Sequence, residues 1–150
     1  MPSASPTPSQ PACARPGGVP DDLEAVWQVI TGMYQAYMAG DRARVDAFLD
    51  REATVFDSDI PELVCGKAEL DGVRDRRPTT PSGPLETGLE AHGEVIDVFG
   101  DLALVRYWLR VGYRALPSRM IRNTAVLRRG QGGWRIVHLH EDVRAQTSRP

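Results

Sequence analysis

The sequence predicts one α+β domain in which a curved antiparallel sheet wraps around N-terminal helices. Apolar residues recur at helical spacing through the first half of the chain. Beyond a proline-rich break at Arg77–Pro84 the period becomes strand-like. A Pro-, Ser- and Gly-rich opening stretch, MPSASPTPSQPACARPGGVP, marks where the domain begins. It holds too little apolar surface to offset its ordering entropy. The expected organisation is a disordered tail over residues 1–20, one domain over 21–145 and a flexible C-terminus over 146–150.

Pro20-Asp21-Asp22 supplies a helix start, with carboxylates near the positive end of the helix dipole. Leu23, Val26, Trp27, Ile30, Met33, Tyr34, Tyr37 and Met38 then form one apolar stripe. Gly40 stops this helix, and Asp41 caps a short second one that buries Val45, Phe48 and Leu49. Ala53–Phe56 reads as a short strand ending in Asp57-Ser58-Asp59, and Gly66–Arg76 as a third helix. Leu85–Val98 is a long strand whose Gly88 and Gly93 suggest a bulge or bend. Leu102–Tyr113, Met120–Arg129 and Trp134–Glu141 follow as strands, the last two joined by the Gly-rich turn Gly130–Gly133. Plain alternation along the last strand puts Trp134, Ile136, His138 and His140 on one face, with Val137 and Leu139 on the other. It leaves open which face is concave. Both faces are partly apolar, so both are expected to be covered.

At 150 residues the chain has room for one core, and 41% hydrophobic with 25% charged residues is ordinary for a globular protein. A net charge of −2 gives no general attraction to phosphates or anionic lipid, and Arg128-Arg129 beside a turn makes no basic patch. Neither nucleic acid nor membrane is an expected partner. The opening stretch lacks the continuous apolar run of a secretory signal. Cys13 and Cys65 fit neither a disulfide framework nor a metal spacing, so a reducing, cytoplasmic setting is expected.

Two motifs carry a resemblance. AGDRARVDAFLDREATVFDSD (Ala39–Asp59) resembles the helix-turn-helix-strand of ketosteroid isomerases and polyketide-cyclase-like proteins. NTAVLRRGQGGWRIVHLHED (Asn123–Asp142) resembles the terminal hairpin of SnoaL-like proteins and of the calcium/calmodulin-dependent kinase association domain. The chain is thereby similar to the nuclear transport factor 2-like superfamily over residues 21–145. The resemblance implies a cone enclosing a small-molecule pocket, a homodimer formed through the sheet, and no cofactor. Members include catalytic and non-catalytic proteins, so fold alone does not assign an activity.

Asp57 falls on the position of the isomerase's catalytic aspartate. A carboxylate at a strand end facing an apolar pocket would have a raised pKa suited to a general base. His140 and Tyr34 are the candidate partners that protonate or polarise a substrate oxygen. Core packing would equally explain the spacing of Tyr34, Tyr37 and Trp27, and a sheet or dimer interface would explain His138 and His140. The isomerase tyrosine aligns nearer Met33, and its second oxyanion donor has no counterpart between Asn123 and Arg128, which argues against ketosteroid isomerase activity itself. Trp27, Tyr37, Tyr107, Trp108, Arg122, Asn123 and His138 are candidate pocket linings. His92 alone remains as a third imidazole, and no metal site is expected.

The resulting expectation is cofactor-independent acid–base chemistry on a hydrophobic, oxygenated metabolite of a natural-product pathway: isomerisation, dehydration or cyclisation. One rival is a non-catalytic ligand-binding or assembly module. Another is an epoxide hydrolase built on Asp57, Arg122 and a further carboxylate.

Overall fold

The computed structural model describes residues 13–77 and 86–144. Most of the loop read at Arg77–Pro84, the first twelve residues and the C-terminus from 145 lie outside the described residues. In chain order the elements are α1 (Pro20–Met38), α2 (Arg42–Ala47), β1 (Leu49–Phe56), β2 (Val64–Cys65), α3 (Gly66–Arg76), β3 (Glu86–Phe99), β4 (Leu102–Tyr113), β5 (Leu116–Gly130) and β6 (Gly133–Val143). The six strands form one sheet in the order β2-β1-β6-β5-β4-β3.

The α+β cone expected from the pattern is present, with one topological addition. β1 runs parallel to β6, so the sheet is mixed rather than wholly antiparallel. The two-residue β2, too short to leave a periodic signal, pairs with β1 at the edge.

Helix α1 turns Val26, Val29, Ile30, Met33 and Tyr34 into the core. Gly32 on the same helix admits the Phe48 ring so closely that a Cβ there would stand 2.7 Å from it. Asp41 caps α2 by accepting from the Arg44 N–H at 3.0 Å. Alternate residues of the central strands complete the core: Ala103, Val105, Tyr107, Leu109 and Val111 on β4, and Ile121, Asn123, Ala125 and Leu127 on β5. Their neighbours Arg106, Trp108, Arg122 and Thr124 face the opposite, outer side of the sheet.

Two bulges bend the long strands. In β3 the ladder shifts between His92 and Val95, where Gly93 adopts φ +67°, a left-handed conformation that glycine takes without strain. In β6 Ile136 pairs with Leu127 and His138 with Val126, which leaves Val137 as an extra residue.

The tail expectation needs correction over its last residues. Residues 13–19 precede α1 outside any helix or strand, and Gly17–Gly18 docks against β3. The Val98 N–H donates to the Gly17 carbonyl at 2.8 Å. Asp97, 2% exposed, accepts from the Gly17 N–H at 2.8 Å, from Arg15 at 3.1 Å, and from Arg106. Burial opposes ionisation of this carboxyl. The bonds from Arg106, Gly17 and Arg15 outweigh that and hold its pKa below the usual range. A composition-based reading misses this because the polar partner, Asp97, is eighty residues away.

Candidate active site

The bulge at Val137 decides what faces the interior. Trp134 and Ile136 point inward; after the extra residue the inward positions become Leu139 and Glu141. His138 and His140 therefore sit on the outer face, away from the Trp134–Ile136 side on which plain alternation placed them. His138 shares a 2.7 Å hydrogen bond with the Thr54 hydroxyl, and His140 lies against Phe56 with ring centroids 5.3 Å apart.

Between the helices and the concave face lies a cavity of about 210 Å³. Its wall is apolar, with Met33 from α1, Val45 and Leu49 near α2, Val55 from β1, and Leu109, Ile121 and Leu139 from the sheet. Tyr34 and Glu141 interrupt that wall, and Asp57, Arg74, Arg77 and Glu86 add charged groups.

Glu141 is the most perturbed carboxyl of the site. Desolvation raises its pKa from 4.5 to about 7, with the nearby Asp57 charge adding to the rise and Arg77 opposing it. An acid with that pKa carries and releases protons at neutral pH.

Tyr34 meets Tyr107 hydroxyl to hydroxyl at 2.6 Å, both rings buried and set edge to face. Burial pushes the Tyr34 phenol well above its ordinary pKa, and the neighbouring Tyr107 and Glu141 add to the effect. Tyr107 is raised likewise by burial, although its bond to Tyr34 acts in the other direction. Both phenols are therefore proton-bearing hydrogen-bond donors. When Tyr107 donates to the Tyr34 oxygen, the hydrogen of Tyr34 is left for a ligand in the cavity.

Asp57 does line the cavity but is not a bare, desolvated carboxylate. One oxygen accepts from the Asp59 N–H at 2.8 Å, closing a turn, and the other pairs with Arg77 at 3.0 Å. Tyr37 stands half-exposed and also lines the cavity. Its pKa is raised by burial and then by Glu86.

The remaining candidates are distributed elsewhere. Trp27 packs edge-on to Tyr107 with centroids 5.8 Å apart and borders a separate groove beside Arg15 and Gly17. Trp108 and Arg122 line a shallow outer-face depression together with His140, and Arg122 pairs there with Asp142 at 3.1 Å. The Asp57–Arg122 constellation considered for epoxide hydrolysis is thus not assembled: Asp57 pairs with Arg77, whereas Arg122 pairs with Asp142. Asn123 does face inward, between Tyr107 and Glu141 in the cross-strand row Tyr107–Asn123–Glu141. Among the described residues no cluster of three or more His, Cys, Asp or Glu side chains is placed to hold a metal ion. Nor is any described helix long and apolar enough to cross a membrane.

Sequence reasoning missed several charged members of this site, Glu141 and Arg77 foremost. Plain alternation puts Glu141 on the face opposite the histidines, where it cannot share a pocket with them. Arg77 opens the proline-rich break at Arg77–Pro84. The one available signal for Glu141 was its spacing from Leu139, an apolar residue two positions earlier that strongly favours burial.

A family model described as a SnoaL-like domain matches residues 26–145. The chain belongs to the SnoaL-like domain family. Solved structures agree on the fold. A nuclear transport factor 2-like protein of unknown function from Pseudomonas putida KT2440 superposes with a TM-score of 0.73 at 22% identity, covering 88% of this chain and 92% of that one. The CaMKII hub of S. rosetta gives 0.69 at 22% identity, covering 81% and 95%. A proposed dehydratase of the nuclear transport factor 2-like family from Streptomyces avermitilis gives 0.65 at 17%, covering 83% and 97%. No curated protein matches the sequence. At these identities the SnoaL-like chain shares a fold with its structural neighbours, and its chemistry has to be argued from its own cavity.

Proposed function

We propose that this SnoaL-like protein binds a small, mostly apolar molecule bearing a carbonyl or hydroxyl group and moves a proton on it. The carrying observation is Glu141, whose carboxyl has a pKa raised to about 7 and shares the apolar cavity wall with the proton-bearing phenol of Tyr34. In this reading Glu141, rather than Asp57, removes or returns the proton, and Tyr34 donates a hydrogen bond to the substrate oxygen as charge develops on it. Tyr107 supports Tyr34 from behind. Asp57, paired with Arg77, stands close enough to Glu141 to favour the protonated form of that carboxyl.

Isomerisation and dehydration both begin with such a proton transfer. A volume of about 210 Å³ lies below the roughly 300–1,000 Å³ of drug-sized pockets, which favours a one-ring or short-chain substrate over a polycyclic one. The test is deuterium exchange at the α-carbons of small cyclic ketones in D2O, followed by NMR. The wild type accelerates exchange, and Glu141→Gln loses at least about a hundredfold of the acceleration. Wild-type exchange no faster than buffer would end the enzymatic reading and leave a binding module.

The same proposal includes a homodimer formed through the outer face of the sheet. Trp108, Val126 and His138 are only partly exposed there, and the chain shares its fold with a CaMKII hub. Sedimentation at micromolar concentration tests it, and a clean monomer is the outcome against it.

A further inference from the structure

Asn123 is 3% exposed, and its amide is only half used. The Nδ2 group donates to the Ile121 carbonyl at 3.0 Å, whereas the buried Oδ1 has no hydrogen-bond partner among the described residues. The Ile121 bond also settles which end of the amide is nitrogen. An unpaired buried carbonyl is destabilising, so its retention calls for a donor. The register supplies one. Asn123 on β5 lies directly opposite Glu141 on β6, and both occupy inward-facing positions. A carboxyl group has a hydrogen to give only when protonated.

We infer that Asn123 is a positioning residue for Glu141, its Oδ1 accepting the O–H of the protonated carboxyl and turning that proton-bearing group in a fixed direction. This rests on the reading of Glu141 as the proton carrier. The amide oxygen favours one protonation state for a simple reason. It stabilises the acid by accepting from it and opposes the carboxylate by facing it with lone pairs. Asn123 does not itself line the cavity, and so acts through Glu141 and not on the ligand.

Other groups near Glu141 set the background against which this contact acts. Tyr34 and Tyr37 come from α1, Tyr107 from β4, Asp57 and Asp59 from the turn after β1, and Glu86 from β3. Arg77 follows α3, while Arg74 and Arg119 also line the cavity. None of these is altered by a change at position 123.

The experiment is a carboxyl ¹³C NMR titration of the full chain without ligand, in wild type, Asn123→Leu and Asn123→Asp. Leu keeps the bulk and removes the acceptor. It should lower the Glu141 midpoint by about one pH unit, since a lost hydrogen bond to the neutral form removes its stabilisation. Asp keeps an acceptor and brings in a second carboxyl, so the pair should titrate in two steps with the upper one above the wild-type midpoint. An unchanged or raised midpoint in Asn123→Leu overturns the inference and leaves Asn123 as a partner of the Ile121 carbonyl only. Should the Leu variant not fold, a single step at the wild-type midpoint in Asn123→Asp overturns it equally. Because the titration uses no substrate, its outcome is independent of the ketone-exchange test. Exchange can fail while the Asn123 effect stands, and the reverse.

Discussion

Tyr34 on α1 and Tyr107 on β4, seventy-three residues apart, share a hydroxyl–hydroxyl bond of 2.6 Å inside the core. It joins the helical layer to the middle of the sheet beside the cavity that Tyr34 lines. Removing either hydroxyl leaves the other buried without its partner, at a cost of about 1–3 kcal/mol. Tyr34→Phe and Tyr107→Phe should each show this loss in chemical denaturation. The double variant should fall well short of the sum, because the second hydroxyl is then no longer stranded. Strict additivity would mean that the two hydroxyls do not depend on each other.

Glu141 makes stability depend on pH with a defined sign. Its folded-state pKa of about 7 lies above its ordinary value of 4.5, so the native state holds the proton more tightly than the unfolded chain does. The stability this contributes is complete below about pH 4.5 and is lost as pH rises through about 7. Glu141→Gln keeps the shape and removes the titration. Relative to wild type the variant should therefore gain stability between pH 4.5 and 7, by up to about 3 kcal/mol at 1.36 kcal/mol per pH unit. Urea midpoints at four or five pH values suffice, and a flat difference would place the carboxyl in water.

The Arg15–Gly18 segment gives the opposite sign. The pKa of Asp97 is held below 3.8, so its ion-paired state stabilises the fold above that pH and the contribution disappears as the medium becomes more acid. Deleting residues 1–18 removes two of the three donors to Asp97 and uncovers Val98 and Leu23, which Gly18 touches. The melting temperature should fall by several degrees at pH 7, corresponding to about 1–3 kcal/mol. A deletion ending at residue 12 keeps all three donors and serves as the comparison. Equal melting temperatures for the two deletions would show that the segment contributes nothing.

Trp134 is 8% exposed at the start of β6, with the Arg129 guanidinium 4.5 Å above its ring. Trp134→Ala should cost roughly 3–5 kcal/mol, mostly through the cavity it leaves. Arg129→Ala should cost no more than about 0.5–1 kcal/mol, the usual size of an exposed cation–π contact. A denaturation midpoint unchanged in Trp134→Ala would refute its place in the core.

Where local pattern and local structure coincide, the sequence was enough. The stripe Val26–Ile30–Met33 defines α1, Gly66–Arg76 is read to its last residue, and Gly93 announces the bend in β3 because a glycine in a strand has few other uses. The site was harder because its assembly is non-local. Asp57 was placed at a strand end, yet its ion-pair partner Arg77 arrives from twenty residues downstream. Glu141 was lost for a different reason. The bulge that turns it inward falls on Val137, a good strand former that carries no mark of irregularity. With the parity reversed there, plain alternation puts the two histidines on the Trp134–Ile136 side in its place. Their chemistry is familiar, but they belong to the other face.

That extra residue leaves β6 with one residue of slack between Trp134 and Glu141. A relative that lost one position at Val137 or His138 could run the ladder straight and still present Leu and Glu to the inside. A relative that gained one position while keeping this bulge would have its imidazole turned inward and its carboxylate outward, unless a second irregularity absorbed the change. Cavities of this kind can thus exchange a carboxylic acid for a histidine without a single substitution. Chain length between Trp134 and Glu141 becomes a chemical variable, and alignments that close such gaps arbitrarily would assign the wrong residue to the interior.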